Sequence, residues 1–372
     1  MSRAIQRVRS RRGSRGVTMV ELLIAMVLAL LLSVAIVQLF VSNRQTFNIQ
    51  EGIARLQENG RFAMEFITRE LRDAGYSGCI QDGTQINNVL NKTLASGGLS
   101  PMWDFSRTVL GFEGGTSGWT PTPGSGTYAD FDFPSAINGT DIITIHTSEL
   151  LPLKAFQAGN LTAAAVGEAA ITTNQATGLN QNDILFVTDC DKGAIFQVTN
   201  ANPGTTIAHE VTTKTTSGAV TRYPGNAIKA LGHVYGQNNG ASPAGPAEIS
   251  RLRAVSFFIR NDTNGRPALW RRIYNEAPEE LVKGVEDMQI LYGIATDVNQ
   301  WGTVSYYVSA DQVAAGDWNK VASVRIHLLL QSDDNMAKNP IPYTFNGTTT
   351  TPTDRRVRRE FVTTVGIRNQ IL

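Results

Sequence analysis

Glu21 is the only charged residue between Val17 and Val41. A carboxylate placed in hydrocarbon costs on the order of 3 kcal/mol, so keeping one there calls for a compensating interaction. One reading is that it snorkels to the headgroup region, near one end of the run. The other is that it pairs with a cation inside an assembly. Cys79 and Cys190 are the only two cysteines. In an exported chain such a pair reads as a disulfide, with two buried free thiols as the alternative. Two cysteines at this separation do not make a metal site. His146, His209, His233 and His327 are scattered, and His146 and His327 fall inside β-type runs, where they read as satisfied strand residues. The Asp and Asn of 189–193 and 261–265 read as β-turns, since the spacing and closing Glu of a calcium loop are missing. Arg355, Arg356, Arg358 and Arg359 form a basic cluster that reads as a solvated strand edge or an inter-subunit salt bridge before it reads as a DNA contact. No phosphate loop, G-x-S-x-G or H-E-x-x-H is present, so no enzyme and no cofactor is expected.

The element that must position Glu21 is a membrane anchor. Twenty-five helical residues from 17 to 41 rise about 37 Å, enough for a hydrocarbon core of about 30 Å. Sixteen of them are Leu, Ile, Val or Phe, which outweighs the cost of one acid. Six arginines (Arg3, Arg7, Arg9, Arg11, Arg12, Arg15) precede the run, so the N-terminus is expected in the cytoplasm and the rest exported. An ordinary secretory signal has a shorter apolar core followed by its small-residue cleavage site. Here the small residue, Gly16, comes before the run. A cut there would remove the basic leader and take the formal charge from +1 to −5, which gives no global pull on nucleic acid.

Beyond the anchor the helical pattern continues. Ile49, Ile53, Leu56, Gly60, Ala63, Ile67, Leu71 and Ala74 recur in steps of three and four, a one-sided stripe that Phe62, Met64 and Phe66 widen. The other face is charged and includes Glu65 and Arg69 at i,i+4. Gly52 and Gly60 weaken the helix, and Gly75 reads as its C′ stop. One helix over 17–74 is expected. After it, short β runs are expected at Asp141–Thr147, Asp183–Thr188, Ala194–Thr199, Arg251–Arg260, Ala268–Tyr274, Val285–Gly293 and Val321–Gln331, with a hairpin loop at 261–267. Segments 91–138 and 200–250 are rich in Gly, Thr, Ser, Asn and Pro and read as long surface loops. The expected class is α+β: a long N-terminal helix packed on an antiparallel sheet, divided into a leader (1–16), an anchor (17–41), its amphipathic continuation (42–75) and a β-rich head (76–372).

The stretch Arg15-Gly16-Val17-Thr18-Met19-Val20-Glu21-Leu22-Leu23 resembles the leader of type IV prepilins. The resemblance implies that a prepilin peptidase cuts between Gly16 and Val17 and N-methylates Val17, and that Glu21 is the assembly carboxylate. Its partner would be the α-amine of Val17, from its own chain or a neighbouring subunit, and pairing to a neighbour would fix axial register. Val17 departs from the usual Phe, and Gln38 stands where many major pilins have a helix-breaking Pro. Three further blocks, Glu58–Ala63 with Arg69–Cys79, Gly284–Gly293 and Arg355–Asn369, resemble the PilW family of minor pilins. That likeness implies a low-abundance subunit of an assembly-priming complex at the pilus tip. Its partners would be the inner membrane, other minor pilins, the major pilin and a large adhesin-like tip protein. Motility, attachment and DNA uptake would follow indirectly. A type II secretion pseudopilin shares the leader and head class, and a membrane-anchored binding module or enzyme is a more distant alternative.

Overall fold

The computed structural model describes residues 17–75, 78–80, 83–93, 100–157, 166–217, 220–236, 246–296 and 303–368. The leader, with Gly16 and its six arginines, lies outside them, as do Tyr76, Ser77 and Asn369. The chain divides into two compact units, one ending at Gly52 and one beginning at Ile53.

Helix α1 spans Met19–Arg72, 54 residues. In the first unit its large apolar side chains from Val17 to Val41 are all more than half exposed. In the second unit it behaves as a striped helix. Leu56, Ala63, Ile67 and Leu71 are buried, while Arg55, Glu58, Arg61, Glu65 and Arg69 are exposed. Three details depart from expectation. Phe62 and Phe66 do not widen the buried face; they point outward, and only Met64 packs on the core. Glu65 and Arg69 form no ion pair, and the neighbouring Glu70 instead meets Arg271 at 3.9 Å. Gly75 is left-handed (φ +70°), but its N–H donates to His146 O at 3.0 Å rather than back to the helix. The helix ends two residues earlier than read because Ala74 bridges to Thr147.

The glycine at position 60 has a packing cause. A Cβ there would sit 2.4–2.6 Å from the ring of Phe361. The missing side chain lets a C-terminal strand lie against the helix, and this offsets the roughly 1 kcal/mol of helix propensity that glycine forgoes.

In chain order the strands used below are β1 (Ile86–Asn88), β2 (Val109–Gly115), β3 (Gly118–Thr120), β4 (Ile142–Gln157), β5 (Ile171–Thr173), β6 (Ile184–Thr188), β7 (Gly193–Gln197) and β8 (Thr206–Ile207). They continue with β9 (Ala247–Asn261), β10 (Pro267–Ile273), β11 (Glu279–Lys283), β12 (Val285–Ile294), β13 (Tyr306–Val308), β14 (Val321–Gln331) and β15 (Arg358–Gly366). The head therefore holds two main sheets, not one. The larger has the order β1-β7-β6-β9-β4-β2-β3, with β10–β11 and β5–β8 as side branches. All its pairs are antiparallel except β1 on β7. The second sheet has the order β13-β12-β14-β15 and is antiparallel throughout. Two separate small pairs, 215–217 with 220–223 and 343–345 with 348–350, accompany the main sheets.

Strand β14 coincides with the expected run, and the other six expected runs are strands with shifted ends. The largest shift is in β4, which continues to Gln157 through Pro152. The proline is tolerated because the β4–β9 register slips there, between Glu248 and Ser250, so no ladder bond is asked of it.

The reading of 91–138 as a surface loop is overturned. Met102, Trp103, Phe105, Phe112, Phe131 and Phe133 are buried, and Val109–Gly115 is a strand. Phe112 packs edge-on against Phe131 and Phe133, with centroids 5.1 and 5.4 Å apart. Aromatic residues carry enough area to anchor a glycine-rich segment. Segment 200–250 is likewise partly internal, burying Ile207, Leu231, Val234 and Tyr235. One contiguous core joins Leu56, Ile67 and Leu71 of α1 to Ile143, Ile145, Phe257, Ile259, Ile290 and Leu328 of both sheets. A smaller core gathers Leu153, Ile171, Leu185, Val187, Phe196, Ile207, Tyr235 and Ile249.

Candidate functional site

The N-terminal turn of α1 holds two of the residues that the sequence singles out, Val17 and Glu21, with Thr18 between them. Val17 and Thr18 precede the helix, and Glu21 sits in its first turn. The Glu21 N–H donates to Thr18 Oγ1 at 3.2 Å, and the Thr18 N–H and hydroxyl face Glu21 Oε2 at 3.4 Å. This is a reciprocal capping box, with Thr18 as N-cap and Glu21 three residues on. Sequence reading of Glu21 as an assembly group passed over that role, although the T-x-x-E pattern ahead of an apolar run signals it. The same carboxylate thus has a local task, satisfying helix-end amides and complementing the positive end of the helix dipole. It is exposed, so it remains available to a second cation. Gly16, the other half of the expected cleavage site, lies outside the described residues.

The cysteines sit in the other unit and are joined. Cys79 and Cys190 form a disulfide with Cα atoms 5.1 Å apart, spanning 111 residues of sequence. Cys190 lies in the turn between β6 and β7 with φ +73°. The bridge ties the segment after α1 to that turn. In the chain-entropy picture, closing a loop of this length removes about 4–5 kcal/mol of unfolded-state freedom.

The remaining candidates are structural. His146 is buried, with Nδ1 against Arg107 O and Nε2 3.1 Å from Met102 O, and burial holds its pKa below the usual value. His209 is buried in the same manner between Lys229 O and Ala169 O, and burial holds it low as well. His233 pairs with Asp189 at 2.8 Å and His327 with Glu360 at 2.8 Å. The Asp and Asn turns close on their own backbone. Asp262 accepts from the N–H of Asn264 and Arg266, and Asp189 Oδ1 accepts from the N–H of Lys192. Among the described residues no group of three or more His, Cys, Asp or Glu is placed to hold a metal ion. An open groove of about 510 Å³ beside the last turns of α1 is lined by Arg69, Glu70, Glu149, Leu150, Arg253 and Arg271, with both charge signs interleaved.

Asp141 is a buried carboxylate that the sequence reading does not single out. Its Oδ1 accepts the Gly114 N–H of β2 at 2.8 Å, and its Oδ2 accepts the Ile290 N–H of β12 at 2.7 Å. One buried side chain therefore links the two sheets. Burial pushes it up to about 8, the charge of Glu113 adds to that, and the two amides oppose it. Asp287 nearby is raised to about 6, again chiefly by burial. The signal in sequence was a lone Asp opening a run of Ile, Thr and His.

The C-terminal arginines separate into two kinds. Arg358 is internal, with both guanidinium edges engaged. Its Nε and Nη2 meet Glu286 at 2.6 and 3.1 Å, and its Nη1 and Nη2 meet Asp354 at 2.6 and 3.0 Å. These bonds hold Asp354 below the usual carboxylate range. Arg355 and Arg359 are exposed.

Two family models match the chain, and they fall on the two features just described. Residues 11–37 match the prokaryotic N-terminal methylation motif, the segment that holds Gly16, Val17 and Glu21. Residues 256–369 match the family Type IV Pilus-assembly protein W, from the middle of β9 through the whole second sheet to β15. No curated protein and no solved structure matches the chain. Over its C-terminal third the chain is thus similar to the type IV pilus-assembly protein W family, and it carries the N-terminal methylation motif of type IV pilin-like proteins at the head of an exposed apolar helix.

Proposed function

We propose that the protein is a structural subunit, and not an enzyme, that enters the inner membrane as a prepilin with its N-terminus in the cytoplasm. A prepilin peptidase then cuts it between Gly16 and Val17 and methylates Val17. The mature chain joins other minor pilins and the major pilin in the complex that primes assembly and ends at the pilus tip, beside a large adhesin-like protein. Motility, attachment and DNA uptake follow from the filament. The observation that carries this reading is Glu21, the only charge in an apolar stretch whose large side chains are all exposed, inside the segment that matches the methylation motif.

The physics is one of register. An exposed apolar helix without a polar face is stable in lipid or among other apolar helices. Within that medium a carboxylate is tolerated where a cation meets it, and the α-amine of a processed neighbour supplies one. Only one axial stagger brings the two charges together. Glu21→Ala is expected to leave membrane insertion and leader removal intact while lowering recovery in sheared pili by about a hundredfold or more, the scale of a lost buried pair. Recovery of the variant at wild-type level would overturn the reading.

A further inference from the structure

Strand β15 is an open edge of the second sheet, and it differs from the other edges of the two main sheets among the described residues. Among the described residues, the other strands of the two main sheets with one neighbour are β1, β3, β8, β11 and β13, which are only 2–5 residues long. The longest of these, β11, carries Glu279, Glu280 and Lys283 and pairs with β10 across a register shift. Short, charged or bulged edges are the usual protection against pairing with another chain. β15 is nine residues long and pairs with β14 without a register break. It contains no proline, and its middle reads Phe-Val-Thr-Thr-Val.

The hydrogen-bond parity shows which groups face outward. The Ser332 N–H donates to Val357 O at 2.9 Å, and the Ile367 N–H donates to Ala322 O at 2.8 Å. In an antiparallel ladder, residues two apart point the same way, so the odd-numbered residues of β15 bond inward to β14. The N–H and C=O of Glu360, Val362, Thr364 and Gly366 therefore point to the free edge. Among the described residues, β14 is the only sheet partner of this strand. The 343–350 hairpin reaches only its first part, where the Asn346 N–H donates to Glu360 Oε1 and Tyr343 lies under Arg358. On the helix side Phe361 fills the space left by Gly60, and on the other side Val362 is half exposed. At the start of the strand the exposed Arg355 and Arg359 have no carboxylate partner among the described residues, whereas Arg358 has two.

We propose that the edge of β15 over Phe361–Gly366 is a docking site for an extended strand of a different pilus subunit, which adds to the second sheet and places an acidic residue near Arg355 and Arg359. The proposal rests on the reading of the protein as a pilus subunit. Backbone bonds supply the attachment, and the side chain laid over Val362 supplies selectivity.

The test uses the full chain, tagged and purified from membranes of cells that express the other pilus subunits, with co-purifying subunits identified by mass spectrometry. Val362→Pro removes an outward N–H, fixes φ near −65° and replaces the exposed side chain, at a position where an edge strand accepts proline. It is expected to keep the melting temperature of the head and to lower recovery of the partner subunit by about tenfold. Hydrogen exchange on the wild type gives a reading that does not depend on the variant folding. The Val362 and Thr364 amides are expected to exchange fast in the isolated protein and slowly in the complex, while Phe361 and Thr363 are slow in both. Equal partner recovery with Val362→Pro, or unchanged exchange at 362 and 364, overturns the edge proposal alone. Protection that arises from a second copy of this chain overturns its choice of partner. A wild-type chain that recovers no pilus subunit overturns the functional reading together with it.

Discussion

The two halves of α1 are both rich in apolar side chains, yet they are solved by different partners. From Val17 to Val41 the apolar residues run all round the helix and every large one is exposed. From Ile53 to Arg72 they form a stripe, and Leu56, Ala63, Ile67 and Leu71 are at most 3% exposed. A stripe can be satisfied by the chain's own sheets, whereas a helix that is apolar on every side needs a medium, either lipid or other such helices. Hydrophobicity alone does not separate an anchor from a core helix. The angular distribution of the apolar residues does.

Paired substitutions break that comparison most directly. Ile67→Ala opens a cavity in the main core and is expected to destabilise the head by about 2–5 kcal/mol. Leu31→Ala, a similar truncation in the anchor half, is expected to leave thermal unfolding of the detergent-solubilised head unchanged. Equal effects from both would mean that the halves are not distinct.

A smaller effect sharpens the boundary where helix and strand meet. In a free helix Gly60→Ala would gain about 1 kcal/mol. Here the added Cβ meets the ring of Phe361, and a net loss of about 1–3 kcal/mol is expected, as for other overpacked sites. The double variant with Phe361→Leu should recover part of it, and a stabilised Gly60→Ala would contradict the packing account.

The weakest expected effect is a pH dependence confined to the head. An acid whose folded pKa is raised holds its proton more tightly when folded. Asp141 titrates near 8 in the folded protein and near 3.8 when unfolded. The contribution of Asp141 should therefore fall as pH rises from about 4 to 8. His146 and His209, held low by burial, act in the opposite direction only below their unfolded value of 6.5. Melting temperatures across pH 6.5–8.5 should slope downward in the wild type and lie flatter in Asp141→Asn. A flat wild-type profile would contradict the burial of that carboxylate.

Much of this was legible from residue order. The period of α1, the ends of β14 and the Cys79–Cys190 pairing follow from spacing, alternation and an even cysteine count in an exported chain. The rest depends on tertiary partners that local pattern does not name. The aromatic cluster around Phe112 sits in a segment whose composition is that of a loop, because a few large rings bury more area than many small residues expose. Phe62 and Phe66 lie at the margins of the stripe, and they stay exposed because the sheets cover only its centre. Gly60 reads as a weak point until Phe361, three hundred residues away in sequence, is seen above it. At the N-terminus the carboxylate proposed to serve assembly also caps the helix, and both readings draw on the same residue.

The central claim is that Val17 becomes the first residue of a subunit whose Glu21 serves assembly. The mass of the intact protein recovered from pili tests it most directly. The account predicts a chain that begins at Val17 and carries one added methyl group. A chain that still begins at Met1, or one cut beyond Val41, would contradict it.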